Sequence, residues 1–116
     1  MRCEPQSAAL ARQLVAKCLA DWGTVSATDS AELVVTELVA NAVRHTGCRC
    51  IAVSVRIEGR TVRVAVRDSS VTLPVLINTG TTETSGRGIA MVDALSARWG
   101  VEDAYLGKWV WAEIVQ

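Results

Sequence analysis

Apolar residues along the chain change period twice, and the changes divide it into helices and strands. From Pro5 to about Trp22, Ala9, Leu10, Leu14, Cys18 and Leu19 recur at the three-and-four spacing of a helix face, leaving Arg12, Gln13 and Lys17 to the other side. Gly23 marks the stop. A second helix is predicted to start near Ser26 to Asp29, where several residues can cap it. It runs through Ala31, Val34, Val35, Leu38, Val39, Ala42 and Val43 and ends at Thr46-Gly47. Glu37, Asn41 and either Arg44 or His45 form a stripe at helical spacing along one side, read as lying opposite the apolar face.

From Ile51 the period is two. Ile51, Val53, Val55 and Ile57 alternate with Ala52, Ser54 and Arg56, and Val62, Val64 and Val66 alternate with Arg63, Ala65 and Arg67. Glu58-Gly59-Arg60 between them predicts a hairpin turn. Asp68 to Ser85 loses all periodicity, and structureless segments of this length in a small domain are usually functional or mobile. Gly86-Arg87-Gly88 leads into a short helix, Ile89 to Leu95. Two further strands, Ala97 to Val101 and Trp109 to Ile114, are joined by a turn containing Gly107. The expected fold is α+β: a two-layer α/β sandwich with three helices on a mixed, mostly antiparallel sheet, forming one domain over residues 1–116.

Composition narrows the function classes. Half of the 116 residues are hydrophobic, which supplies a core, but Phe is absent, so Val, Leu, Ile and Ala must fill it. Twelve basic residues balance twelve acidic ones. Nucleic-acid binding draws on a basic excess, so no nucleic-acid partner is expected. No stretch approaches the ~18 apolar residues of a membrane span, and the start of the chain lacks a leader-like apolar run; a cytoplasmic location without membrane contact is the expectation. Cys3, Cys18, Cys48 and Cys50 are then read as ordinary thiols, because Cys48-Arg49-Cys50 is too tight for paired zinc ligands and a reducing compartment disfavours disulfides.

Three groups of residues carry candidate chemistry. Glu37 and Asn41, one helical turn apart, present a carboxylate beside an amide whose oxygen suits a hard cation such as Mg²⁺. Each is equally a residue for the solvated side of a helix. Asp68 ends a valine-rich strand, where a carboxylate can accept from an exocyclic amine or simply open a turn. Gly86 and Gly88 precede a helix N-terminus, the arrangement that lets backbone N–H groups approach a phosphate, although a lone Gly-x-Gly is weakly specific. Gly107-Lys108 lacks the spacing of a Walker A loop.

Taken in order, these segments resemble a family. Glu32 to His45 is similar to the N-box of histidine-kinase-like (GHKL, or Bergerat) ATPases, Val64 to Asp68 to the start of their G1 box, and Gly86 to Asp93 to their G2 box. The ending around Trp99-Gly100-Val101 and Gly107 to Glu113 resembles the last hairpin of short actinobacterial members related to anti-sigma-factor serine/threonine kinases. The resemblance implies the Bergerat ATP-binding fold, with ATP and Mg²⁺ as cofactors. It implies Asn41 as the metal ligand, Glu37 as the general base, Asp68 on the adenine amine, and Gly86, Arg87 and Gly88 around the phosphates. It further implies a sigma factor or its antagonist protein as partner. One departure stands out: Ser70 and Thr72 occupy positions that are glycine in the family's G1 box, and side chains there restrict approach to the base. Two functions therefore stay open, a kinase acting on the antagonist and a module that sequesters its partner without catalysis. A homodimer, built through an exposed strand edge at the hairpin or the C-terminus, is a third arrangement.

Overall fold

A helix whose apolar stripe is unbroken over three turns must find an equally apolar surface to cover it, and the alternating strands provide one. The computed structural model describes residues 1–46, 50–68, 90–105 and 107–116, apart from the side chains of Val25, His45 and Thr46. Helix α1 is Ser7–Asp21 and helix α2 is Thr28–Thr46, entered through a 3₁₀ turn at Val25–Ala27. Strands β1 (Ile51–Glu58), β2 (Thr61–Asp68), β3 (Arg98–Ala104) and β4 (Gly107–Val115) form one sheet in the order β1-β2-β4-β3. Residues 90–95 form a third helix, α3. Among the described residues all three strand pairings are antiparallel, in line with the mostly antiparallel sheet expected from the sequence. Among the described residues the C-terminal strand β4 is interior, and β1 and β3 are the edges.

The core lies between α2 and the inner sheet face. Ala31, Val34, Val35, Leu38, Val39 and Ala42 of α2 meet Val62, Val64 and Val66 of β2 and Val110, Ala112 and Ile114 of β4, all buried. Period two along each strand keeps these residues on one side, and register pairs Val62 with Ile114, Val64 with Ala112 and Val66 with Val110. On α1 the buried positions are Ser7, Ala11, Val15 and Leu19. The sequence reading placed Leu10 and Leu14 on the buried face, and they are exposed instead (53% and 38%). A helix this rich in apolar residues offers more than one stripe, and the smaller Ala and Val side chains win the side that approaches α2. Gly23 ends α1 as expected: its φ is +71°, and Thr24 N–H reaches the Leu19 carbonyl at 2.9 Å.

The N-terminus closes the same end of the sheet where β1 begins. Met1 and Ile51 exchange hydrogen bonds of 3.0 and 2.9 Å, and Arg2 bridges Cys50. Cys18 and Cys50 are free, but Cys3 is disulfide-bonded. The reading of four ordinary thiols is thus corrected: this N-terminal pairing joins segments far apart in sequence, which cysteine spacing alone does not reveal. Among the described residues no helix is long and apolar enough to cross a membrane.

The outer sheet face is held by charge and an indole. Glu113 accepts from Arg98 (2.6 Å) and Arg63 (3.1 Å), and the Arg63 guanidinium lies 4.2 Å from the Trp111 ring centre. Gly100 sits under that indole, where an added Cβ would come within 2.9 Å of Trp111 Cζ2. The hydrogen bond from Arg98 holds the Glu113 carboxyl below its ordinary value of 4.5; burial opposes this and Arg63 adds to it. A carboxyl lowered in the folded state stabilises above its unfolded value and loses that contribution as pH falls through the folded one. Glu113→Gln should therefore cost stability at neutral pH, and the wild-type advantage in urea midpoint should shrink as pH drops below 4.5. An advantage that stays constant down through the acid range contradicts this role.

Candidate functional site

The alternation that buries valines also buries two charges. In β2, Asp68 follows Val62, Val64 and Val66 on the inner side; in β4, Lys108 precedes Val110, Ala112 and Ile114 on the same side. Antiparallel register sets Asp68 directly opposite Lys108, and Lys108 Nζ donates to Asp68 Oδ1 at 3.0 Å. The pair is withdrawn from water, with side chains 2% and 3% exposed. A lone ammonium or carboxylate so placed costs several kcal/mol, so each is tolerable only with the other.

Asn41 comes to this end from the helix layer. Four residues after α2 ends, β1 begins, and Ile51 is in register with Asp68. The C-terminal turns of α2 are therefore tied to the end of the sheet that carries Asp68 and Lys108. Asn41 is buried (7% exposed), three residues after Leu38 and next to Ala42, both of them core residues. This corrects its placement on the stripe opposite the apolar face: it belongs to the edge of the sheet-facing arc. Among the described residues its side-chain amide makes no hydrogen bond. An amide with no protein partner at a domain surface can hydrogen-bond water or a ligand. Glu37, one turn earlier, is half-buried, and among the described residues its carboxylate has neither an ion pair nor a hydrogen bond. Arg44 is exposed.

Glu37, Asn41 and Asp68 are thus placed by α2 and β2 at or towards one end of the two layers. Gly86, Arg87 and Gly88, with Ser70 and Thr72, lie outside the described residues. Sequence reasoning missed Lys108 as a partner of Asp68. The available signal was parity: a lysine in phase with Val110, Ala112 and Ile114 has to be buried, and a buried lysine has to be paired.

The geometry makes a direct prediction about stability. Lys108→Met alone or Asp68→Leu alone should lose about 3–5 kcal/mol, because each strands a buried charge. The double variant should lose far less than the sum of the two, as read from urea unfolding. Additive losses would mean that the two side chains do not depend on each other.

Comparison with known proteins bears on the fold and the family. No protein of curated function matches the sequence. Among solved structures, the chain is similar to the histidine kinase domain from the Erythrobacter litoralis EL346 blue-light activated histidine kinase, with a TM-score of 0.55 and 24% identity. That match covers 78% of this chain and 45% of the other, so this chain spans less than half of the solved kinase domain, and the likeness shows a shared fold. The profile of the histidine kinase-like ATPase domain matches residues 1–114, nearly the full length. The chain belongs to the histidine kinase-like ATPase domain family.

Proposed function

We propose that this protein is an ATP-dependent serine/threonine protein kinase of the anti-sigma-factor type, acting in the cytoplasm on an antagonist protein and engaging a sigma factor. Family membership implies ATP as the ligand. The observation behind the finer reading is that, among the described residues, the Asn41 amide and the Glu37 carboxylate one turn before it make no hydrogen bond or ion pair. An acid one turn from an amide is suited to act as a base beside a bound cation, which favours catalysis over a module that only holds a partner.

Mg²⁺ fits these residues. It prefers oxygen donors, keeps several waters and is typically held by one or two protein groups together with substrate phosphates. Among the described residues no cluster of His, Cys, Asp and Glu is arranged to cage a metal by itself. The Asn41 amide oxygen would hold the ion, which when bound neutralises phosphate charge. Glu37 accepts the proton of the attacking hydroxyl as that oxygen bonds to the γ-phosphorus and ADP departs. Asp68 accepts from the adenine amine, and Gly86, Arg87 and Gly88 serve the phosphates. Exposed Leu10 and Leu14, one turn apart on the outer side of α1, favour a protein partner, since paired apolar side chains on a helix surface gain from being covered.

A second reading has its own support. Ser70 and Thr72 replace glycines that the family places near the base. Weakened nucleotide affinity would leave a module that sequesters its partner without catalysis.

Calorimetry with ATP and Mg²⁺ separates the two. The kinase reading expects saturable binding that Asn41→Ala weakens at least tenfold, or about 1.4 kcal/mol. No heat at millimolar ATP would leave the sequestering module. For the chemistry, Glu37→Gln should abolish phosphate transfer to the antagonist and leave ATP affinity within a few-fold. Transfer at an unchanged rate would remove Glu37 from the role of base.

A further inference from the structure

An ammonium has three hydrogens to donate, and burial makes each of them matter. Lys108 is 3% exposed, yet among the described residues its only acceptor is Asp68 Oδ1 at 3.0 Å. Among the described residues, two donor directions of this buried cation thus have no acceptor, beside the carboxylate assigned to the base amine. Buried polar groups in native proteins are satisfied, and the exceptions call for a reason.

We propose that Lys108 is a specificity-determining residue of the base subsite, donating to the ring nitrogen next to the amine that Asp68 accepts. This rests on the assignment of Asp68 to the adenine amine. The adenine edge presents a donor, the amine, beside an acceptor, the ring N1. Asp68 and Lys108 present an acceptor beside a donor, held 3.0 Å apart by the register of β2 on β4. The two patterns are complementary in one orientation. A 6-oxo purine carries the reverse order, acceptor then protonated nitrogen, and in the same pose sets its carbonyl oxygen against the carboxylate. A dry site that hydrogen-bonds its ligand rejects an analogue lacking the matching group far better than an apolar pocket does, because the site's own polar groups are left unpaired.

The core itself gives no reason for a lysine at this position. Val110, Ala112 and Ile114 satisfy the same parity with apolar side chains, and an apolar residue facing a neutral one at position 68 would serve packing at no desolvation cost. The pair makes sense as a recognition element that is costly to bury and specific once buried.

Nucleotide analogues test this on the wild-type protein. ATP, 1-deaza-ATP (carbon in place of the ring nitrogen beside the amine) and 7-deaza-ATP would be compared by calorimetry with Mg²⁺. Lys108 as the donor predicts at least a tenfold loss for 1-deaza-ATP and little change for 7-deaza-ATP. Equal affinity for ATP and 1-deaza-ATP overturns the proposal and leaves ATP binding intact; no binding of ATP itself overturns the assignment on which it rests. In Lys108→Met, its folding verified by thermal melting, ATP and 1-deaza-ATP should bind alike. A penalty retained in that variant would assign the ring nitrogen to another group and sink the proposal. Should Lys108→Met fail to fold, the wild-type comparison decides.

Discussion

A carboxylate and an ammonium can both leave water only if they meet, and in this fold they meet because β2 and β4 are antiparallel neighbours in one fixed register. A slip of β2 by one residue would turn Asp68 towards the outer face, away from Lys108, and expose Val62, Val64 and Val66 with it. The apolar stripe and the ion pair thus enforce the same alignment. The valines supply most of the free energy, and the charges penalise the alternatives. Everything proposed for the site inherits its geometry from this register.

The helix layer reaches the same place by a separate constraint. The connection from α2 to β1 is four residues long, so the end of α2 stays near the start of β1, in line with Asp68 and Lys108. The pairing of Met1 and Arg2 with Ile51 and Cys50 fastens that corner further. The C-terminal turns of α2 can therefore carry a polar residue such as Asn41 where the upstream turns carry Val34 and Leu38. Asn41 sits among the buried residues Leu38, Val39 and Ala42, so its amide is held by the core packing of α2.

Much of this was legible from periodicity. The stripe Ala31 to Ala42 and the alternation of both hairpin strands are strong patterns, and the elements formed close to where they were expected. The face of α1 was misjudged because Leu10 and Leu14 outweigh Ala11 and Val15 in hydrophobicity, while close helix packing selects for small size. Asn41 and Asp68 stood out as chemistry but not as buried groups. Burial depends on which strands become neighbours, and β4 inserting between β2 and β3 is a long-range choice with no local signature. Lys108 was unremarkable for the same reason: its meaning lies in its partner across the sheet. The disulfide at Cys3 likewise follows from an N-terminal pairing that spacing rules do not contain.

The central claim is that α2 and the β2–β4 end form one nucleotide site. Paramagnetic broadening by Mn²⁺-ATP, read on the ¹⁵N–¹H resonances of labelled protein, tests it most directly. The account predicts strong broadening of the Asn41 side-chain amide and of the backbone around Asp68 and Lys108, with Gly59, Arg60 and Gln116 at the opposite end of the sheet unaffected. Broadening centred on that opposite end, or on the outer face around Trp111 and Glu113, would contradict it.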